Sequence, residues 1–196
     1  MPEVFDFRKP RDAARSHRCE LAKTVFFVGF MGAGKTSTAR KLARLAGVTA
    51  VDMDTYMDRQ CDMKVRTVIE EFGEDAFRAI ETQALRELSL GEPRLVSCGG
   101  GVVLKPENRD IMREGGYVVY LQVTAEEAAS RISNLATRPL FGNMEHAEKV
   151  IGSRLPLYEE VADMTIDTAG RGTGSIAREA FARLKDAGIL RGSSAG

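Results

Sequence analysis

Five short apolar runs punctuate the chain, at residues 24–29 (TVFFVG), 48–52 (VTAVD), 94–98 (RLVSC), 117–123 (YVVYLQV) and 164–168 (MTIDT). Each is rich in Val, Thr, Ile or aromatic residues and gives way to a turn or a helix start, which predicts buried strands. Their alternation with amphipathic stretches predicts an α/β fold, a central parallel five-stranded sheet covered by helices in three layers. Between the first two runs, Ala39, Leu42, Ala43 and Ala46 recur at helical spacing and Gly47 follows as a C-cap. Strand, loop, helix and strand are complete within about 30 residues, as a βαβ unit requires.

Residues 53–93 hold no strand-like run but carry helical patterns near 65–72 and 74–90, which predicts a helical insertion at the carboxyl edge of the sheet. Residues 133–146 (SNLATRPLFGNMEH) contain Pro and Gly that break a helix, and their length predicts a lid. A last amphipathic helix is expected over 174–188. Residues 1–23 read as an N-terminal extension, 24–188 as one domain and 189–196 as a flexible tail.

Composition removes several classes of function. Of 196 residues, 28 are Lys or Arg and 28 are Asp or Glu, so the chain has no net charge and is not a global polyanion binder. Nucleic acid is therefore not an expected partner. The first 23 residues lack an apolar run long enough for a signal peptide or a membrane span. Cys19, Cys61 and Cys98 are widely spaced with no CxxC pair, so neither a disulfide framework nor a zinc site is indicated, and a reducing, cytoplasmic compartment is expected.

The first strand runs directly into GFMGAGKT, residues 29–36, which matches the phosphate-binding pattern G-x-x-x-x-G-K-[ST]. The backbone of Gly32, Ala33 and Gly34 curls so that N–H groups converge on phosphate oxygens, and Lys35, Thr36 and Ser37 open the helix behind them. Lys35 is placed to reach the β- and γ-phosphates of a nucleotide, and the Thr36 hydroxyl to ligate Mg²⁺. The loop alone does not separate GTPases, motors and small-molecule kinases. The guanine-specifying Asn-Lys-x-Asp is absent, and small kinases fit the length best.

Asp52 and Asp54 (VDMD) close the second strand, where ligands bind in doubly wound sheets. Extended alternation would put both carboxylates on one side, one serving Mg²⁺ through water and the other an acceptor hydroxyl. A helix N-cap is the competing use of such a pair. Gly99, Gly100 and Gly101 follow the third strand and either admit a small ligand against the backbone or form a permissive turn. Arg78 has Glu81 at i+3 to orient its guanidinium. Arg138 lies in the TRPL of the lid segment and Arg154 in SRLPLY.

Taken in order, GAGKTS, DMD, GEDAFR (residues 73–78), GGG, RPL (138–140) and RLPLY (154–158) resemble the motif series of the shikimate kinase family, from about residue 24 to 185. The resemblance implies an adenylate-kinase-like P-loop NTPase fold. It also implies phosphorylation of the 3-hydroxyl of shikimate by ATP, on the route to chorismate and the aromatic amino acids. By the same resemblance Asp54 binds the acceptor hydroxyls and helps orient or deprotonate the attacking one, while Arg78 and Arg154 clamp the carboxylate and Gly99, Gly100 and Gly101 contact the ring. Thr36 and Asp52 hold Mg²⁺, Lys35 and Arg138 stabilise the transferring phosphoryl group, and Arg131 and Arg171 flank adenine. A monomer is expected. Three positions depart from the family: Met53 between the aspartates, Ile69 where an aromatic often lines the acceptor pocket, and Thr173 at an adenine-side proline. Two alternatives stand beside this reading: a P-loop kinase for another small acceptor such as gluconate or a nucleoside monophosphate, and a non-catalytic nucleotide-binding relative.

Overall fold

The computed structural model describes residues 19–131 and 144–192. All five apolar runs form strands: β2 (Thr24–Val28), β3 (Ala50–Asp52), β4 (Leu95–Ser97), β5 (Gly116–Gln122) and β6 (Met164–Asp167). They pair in parallel in the order β3-β4-β2-β5-β6. One row of the register runs Asp52, Ser97, Phe27 across β3, β4 and β2, so β3 and β4 end at the same level and β2 runs one residue further.

The central β2 is buried at every residue, which explains why its sequence is a continuous apolar run rather than an alternating one. Val25 and Phe27 face a layer that includes α1 (Lys35–Ala46) and α7 (Thr173–Asp186). Phe26 and Val28 face the opposite layer, built from α2 (Met53–Gln60), α3 (Val65–Leu90), α4 (Pro106–Gly115) and α6 (Met144–Val161). Fully burying each Phe contributes about 1.5–3 kcal/mol, so the sheet is fixed from both faces. A short helix, α5 (Ala125–Arg131), follows β5 and packs against the phosphate loop.

Several local expectations change. The Asp52/Asp54 segment is not extended throughout: Asp52 ends β3 and caps α2, its Oδ1 accepting the Thr55 N–H at 3.1 Å, and Asp54 lies in the first helical turn. The helix wins because Met53 and Met57, four residues apart, are both buried. The two helices expected near 65–72 and 74–90 join as α3 across a kink at Gly73, whose φ of 82° and ψ of 172° is open essentially to glycine alone. Helix α6 begins at Met144, inside the segment expected to be a lid, and continues through Pro156. Burial of Tyr158 and Val161 on its inner face outweighs the hydrogen bond that Pro156 cannot donate. The rest of that segment lies outside the described residues.

The expected domain limits also move outward. Residues Cys19–Leu21 form β1, which pairs antiparallel with β7 (Leu190–Gly192). These stretches were expected in the extension and the tail, but Cys19, Leu21, Ile189 and Leu190 bury their side chains against the α1 and α7 layer. Residues 1–18 lie outside the described residues.

Candidate active site

The loop between β2 and α1 is shaped for an anion. No side chain caps the N-terminus of α1 and its first turn has no acidic residue, so the positive end of its dipole faces the loop without a competing carboxylate on the helix. At Gly32 φ is 81°, and a Cβ would lie 2.7 Å from the Ala128 carbonyl oxygen, so α5 and the loop approach as closely as glycine allows. Lys35 Nζ lies back along the loop, donating to the carbonyls of Gly29 at 2.7 Å and Phe30 at 3.0 Å. Ala33 turns away: its side chain is buried in the core and its N–H donates to Phe30 O.

A cavity of about 740 Å³ opens in front of this loop. Gly32, Gly34, Lys35, Thr36 and Ser37 line one part of it, and Asp52, Asp54, Gly99 and Gly100 line the part at the strand ends. Arg131, Arg171 and Thr173 form a further wall. The sequence-predicted phosphate, acid and nucleotide-side residues are therefore brought to one space, although Asp54 arrives there from a helix rather than a strand.

At the strand ends, Thr36 Oγ1 donates to Asp52 Oδ2 at 2.8 Å and lies 2.9 Å from Ser97 Oγ. These are hard oxygen donors. Among the described residues no group of three or more His, Cys, Asp or Glu could hold a metal. The donor set thus fits an ion that takes one carboxylate and one hydroxyl and completes its shell with water and phosphate oxygens, as Mg²⁺ does.

The acceptor end is organised around the triglycine turn. Arg78 Nη1 donates to Glu81 Oε2 at 2.7 Å and Nη2 to Glu74 Oε1 at 3.0 Å, which is the i+3 pairing expected from sequence plus a second partner at i−4. The guanidinium lies so close over Gly101 that a Cβ there would sit 2.5–2.9 Å from it. Burial would push the Arg78 pKa down, but the two carboxylates outweigh it and hold it above the ordinary value. Burial pushes Glu81 up, the opposing pull of Arg78 notwithstanding, and the Asp54 charge adds to the rise. Glu81 Oε1 is buried without a hydrogen-bond partner among the described residues, and a Cβ on Gly99 would lie 3.2 Å from it and 3.6 Å from Asp54 Oδ1.

On the other side of the turn, Arg154 Nη1 donates to Gly100 O at 3.4 Å and its guanidinium lies 5.8 Å from the Phe30 ring centroid. One helical turn on, the Tyr158 hydroxyl donates to the same carbonyl at 2.5 Å. Tyr158 stacks on Tyr120 at 5.1 Å, and burial pushes its hydroxyl well above the ordinary tyrosine pKa, so it stays a donor. Burial also pushes the Cys98 thiol far up, which leaves it an inert part of the wall.

The nucleotide wall is equally fixed. Arg131 donates through Nη1 to Thr168 Oγ1 at 3.0 Å and through Nη2 to Thr168 O at 2.5 Å, with Glu127 at 3.6 Å. Arg171 pairs with Glu179 at 2.6 Å. At Thr173, the hydroxyl accepts from Lys41 Nζ at 2.6 Å. Arg138 lies outside the described residues. Sequence reasoning assigned no role to Ser97, Thr168, Glu127 or Lys41, and Tyr158 entered only as part of a motif. Its i+4 spacing from Arg154 was the available signal.

The comparisons with known proteins point one way. The family model described as shikimate kinase matches residues 31–185. A shikimate kinase from Dehalococcoides mccartyi is 31% identical over 169 residues, covering 85% of this chain and 96% of that relative. The solved structure of a shikimate kinase from Acinetobacter baumannii in complex with shikimate superposes with a TM-score of 0.78 at 32% identity, covering 84% of this chain and 94% of that one. A gluconokinase from Sinorhizobium meliloti shares the fold alone, at a TM-score of 0.57 and 22% identity over 86% of this chain and 94% of that one. With a family match over most of its length, a relative above 30% identity covered almost end to end, and the phosphate loop, Asp52, Asp54, Gly99 and Gly100 lining one cavity, the chain belongs to the shikimate kinase family.

Proposed function

We infer that the chain transfers the γ-phosphoryl group of ATP to the 3-hydroxyl of shikimate, giving shikimate 3-phosphate and ADP, on the route to chorismate and the aromatic amino acids. The observation that carries this reading is that the phosphate loop, Asp54, Gly99 and Gly100 share one cavity while two arginines lie against the same triglycine turn. An anion-ready helix N-terminus faces Asp54, and next to Asp54 a triglycine turn is flanked by two guanidiniums, Arg78 and Arg154. A flat hydroxylated acid suits such a site, since planar guanidinium forks match a carboxylate and bare glycine backbone admits a ring.

Asp54 is the base within reach of the acceptor hydroxyl. It takes the hydroxyl proton as the oxygen bonds to the γ-phosphorus, and the bond to the bridging oxygen breaks to release ADP. Lys35 exchanges its carbonyl partners for phosphate oxygens, and the N–H groups of α1 hold the charge that remains on ADP. Thr36 and Asp52 would hold Mg²⁺, which when bound neutralises charge on the β- and γ-phosphate oxygens. Arg131 and Arg171 provide flat cationic faces for the adenine. By family resemblance Arg138 adds charge stabilisation at the transferring group. The free thiols at Cys19, Cys61 and Cys98 support a cytoplasmic setting.

ADP release measured with shikimate, gluconate and AMP as acceptors tests the reading. Turnover is expected with shikimate, and Asp54→Asn should lower it about 10²-fold or more while ATP binding persists. Turnover with gluconate or AMP but none with shikimate would overturn the assignment. A folded protein that binds ATP and fails to bind shikimate by calorimetry would favour a non-catalytic relative.

A further inference from the structure

Ser97 has no part in the roles above, yet its surroundings are specific. It closes β4, is 4% exposed, and stands in register with Asp52 on β3 and Phe27 on β2. Alternation along β4 puts its side chain on the face of Leu95, which packs with the α1 layer, so Ser97 points at the start of α1. There its Oγ lies 2.9 Å from Thr36 Oγ1, which in turn lies 2.8 Å from Asp52 Oδ2.

Counting protons fixes the direction of this chain. A hydroxyl has one hydrogen and two lone pairs, and a carboxylate only accepts. The Thr36 hydrogen goes to Asp52, so none is left for Ser97, and Ser97 must donate to Thr36. That bond occupies one Thr36 lone pair. The second remains, on an oxygen that lines the cavity. With Asp52 alone, the Thr36 hydroxyl would be fixed at one contact, and its lone pairs could swing about it. With Ser97 as well, the oxygen is held at two contacts and its free lone pair has one direction.

We propose that Ser97 is a positioning residue for a divalent cation, holding the Thr36 oxygen so that its remaining lone pair faces the ion. This rests on the reading of Thr36 and Asp52 as the cation's protein partners. Outer partners that orient a metal-binding group are commonly worth about 10–100-fold in metal affinity.

The test is Mn²⁺ affinity in the presence of ADP, read by electron paramagnetic resonance, with ADP affinity in metal-free buffer measured beside it by calorimetry. Ser97→Ala should weaken Mn²⁺ binding about 10-fold or more and leave metal-free ADP binding unchanged. Ser97→Thr, which keeps the hydroxyl, should bind Mn²⁺ as the parent does. Wild-type Mn²⁺ affinity in Ser97→Ala overturns the proposal. So does a Ser97→Thr protein that binds ADP normally but holds Mn²⁺ as weakly as the alanine variant. Thr36→Ala separates the two levels of the argument: if it loses Mn²⁺ while Ser97→Ala does not, only the role of Ser97 falls. If Thr36→Ala binds Mn²⁺ as tightly as the parent, the cation site itself is misassigned and the proposal falls with it.

Discussion

Gly101→Ala tests whether the triglycine turn exists to admit Arg78. The backbone at Gly101 has φ of −98° and ψ of 0°, which alanine adopts, so the substitution adds a methyl group without conflict in the dihedrals. That methyl would lie 2.5 Å from Arg78 Nη2, 2.6 Å from Nη1 and 2.9 Å from Cζ, all below van der Waals contact. The guanidinium must move, and it is not free to do so cheaply. Its pair with Glu81 at 2.7 Å is buried, Glu81 being 1% and Arg78 16% exposed, whereas Glu74 is 67% exposed and contributes little. Losing that charged hydrogen bond costs about 1.5–3 kcal/mol. If Arg78 also loses its grip on the substrate carboxylate, the same range applies to binding, about 10- to 100-fold in KM for shikimate. KM for ATP should stay where it is. A coupled ADP-release assay with both substrates titrated gives the two constants, and urea unfolding gives the stability. Arg78→Ala completes the cycle: because Gly101→Ala acts through Arg78, the double variant should bind shikimate no worse than Arg78→Ala alone. Additive losses in the double variant, or an unchanged KM for shikimate in Gly101→Ala, would refute the reasoning.

The remaining predictions concern the supports of the site. Tyr158→Phe removes the hydroxyl that holds the Gly100 carbonyl and should cost about 1–3 kcal/mol in urea unfolding, with KM for shikimate raised and KM for ATP unchanged. An unmoved unfolding midpoint would show that the contact is idle. Arg131→Ala should raise KM for ATP by about 3- to 30-fold, the range for a cation over an aromatic face, and leave KM for shikimate alone; the same kinetic titrations report it. Glu81 gives a pH signature. Burial raises its folded pKa above the ordinary 4.5, so the folded state holds its proton in a window where the unfolded chain has released it. Its contribution is then fully present below the ordinary value and is lost as pH rises through the folded one. Measured by urea unfolding across pH 4 to 8, wild type should therefore gain stability relative to Glu81→Gln as pH falls, and a gap that closes instead would contradict the shift.

What could be read from sequence divides by how local each signal is. The strands of the sheet were legible because its inner strands are buried on both faces and so appear as unbroken apolar runs. The Arg78–Glu81 pair was legible because three residues separate its members on one helix. Asp52 and Asp54 were misplaced because a three-residue strand followed at once by a helix resembles a longer strand, although the Thr55 amide that Asp52 caps lies only three positions away. The antiparallel pair of β1 and β7 involves three residues on each side, too few to show a period. The supports of the site are non-local: 61 positions separate Thr36 from Ser97, 37 separate Arg131 from Thr168, and 132 separate Lys41 from Thr173. Such contacts depend on strand register and helix docking, which no window of sequence displays.

The charge arrangement takes a different form from the one suggested by sequence. With 28 cationic and 28 anionic side chains, neutrality could conceal a bare cationic site. Instead the described arginines of the site are held by partners before any ligand arrives: Arg78 by Glu81 and Glu74, Arg131 by Thr168 and Glu127, Arg171 by Glu179, and Arg154 against the Gly100 carbonyl. Each glutamate pairing dilutes the net positive field, which argues against long-range attraction as the main source of affinity. It also removes a cost of binding, since a guanidinium already fixed loses little rotamer freedom when an anion docks, a saving of about 0.5–1.5 kcal/mol per side chain. Glutamates paired with the arginines thus fix the direction of the guanidinium forks before a ligand docks. The fold supplies those glutamates from the same helices that carry the arginines for Arg78 and Arg131, at spacings of three or four residues, so the orientation survives whatever motion the helix makes as a body.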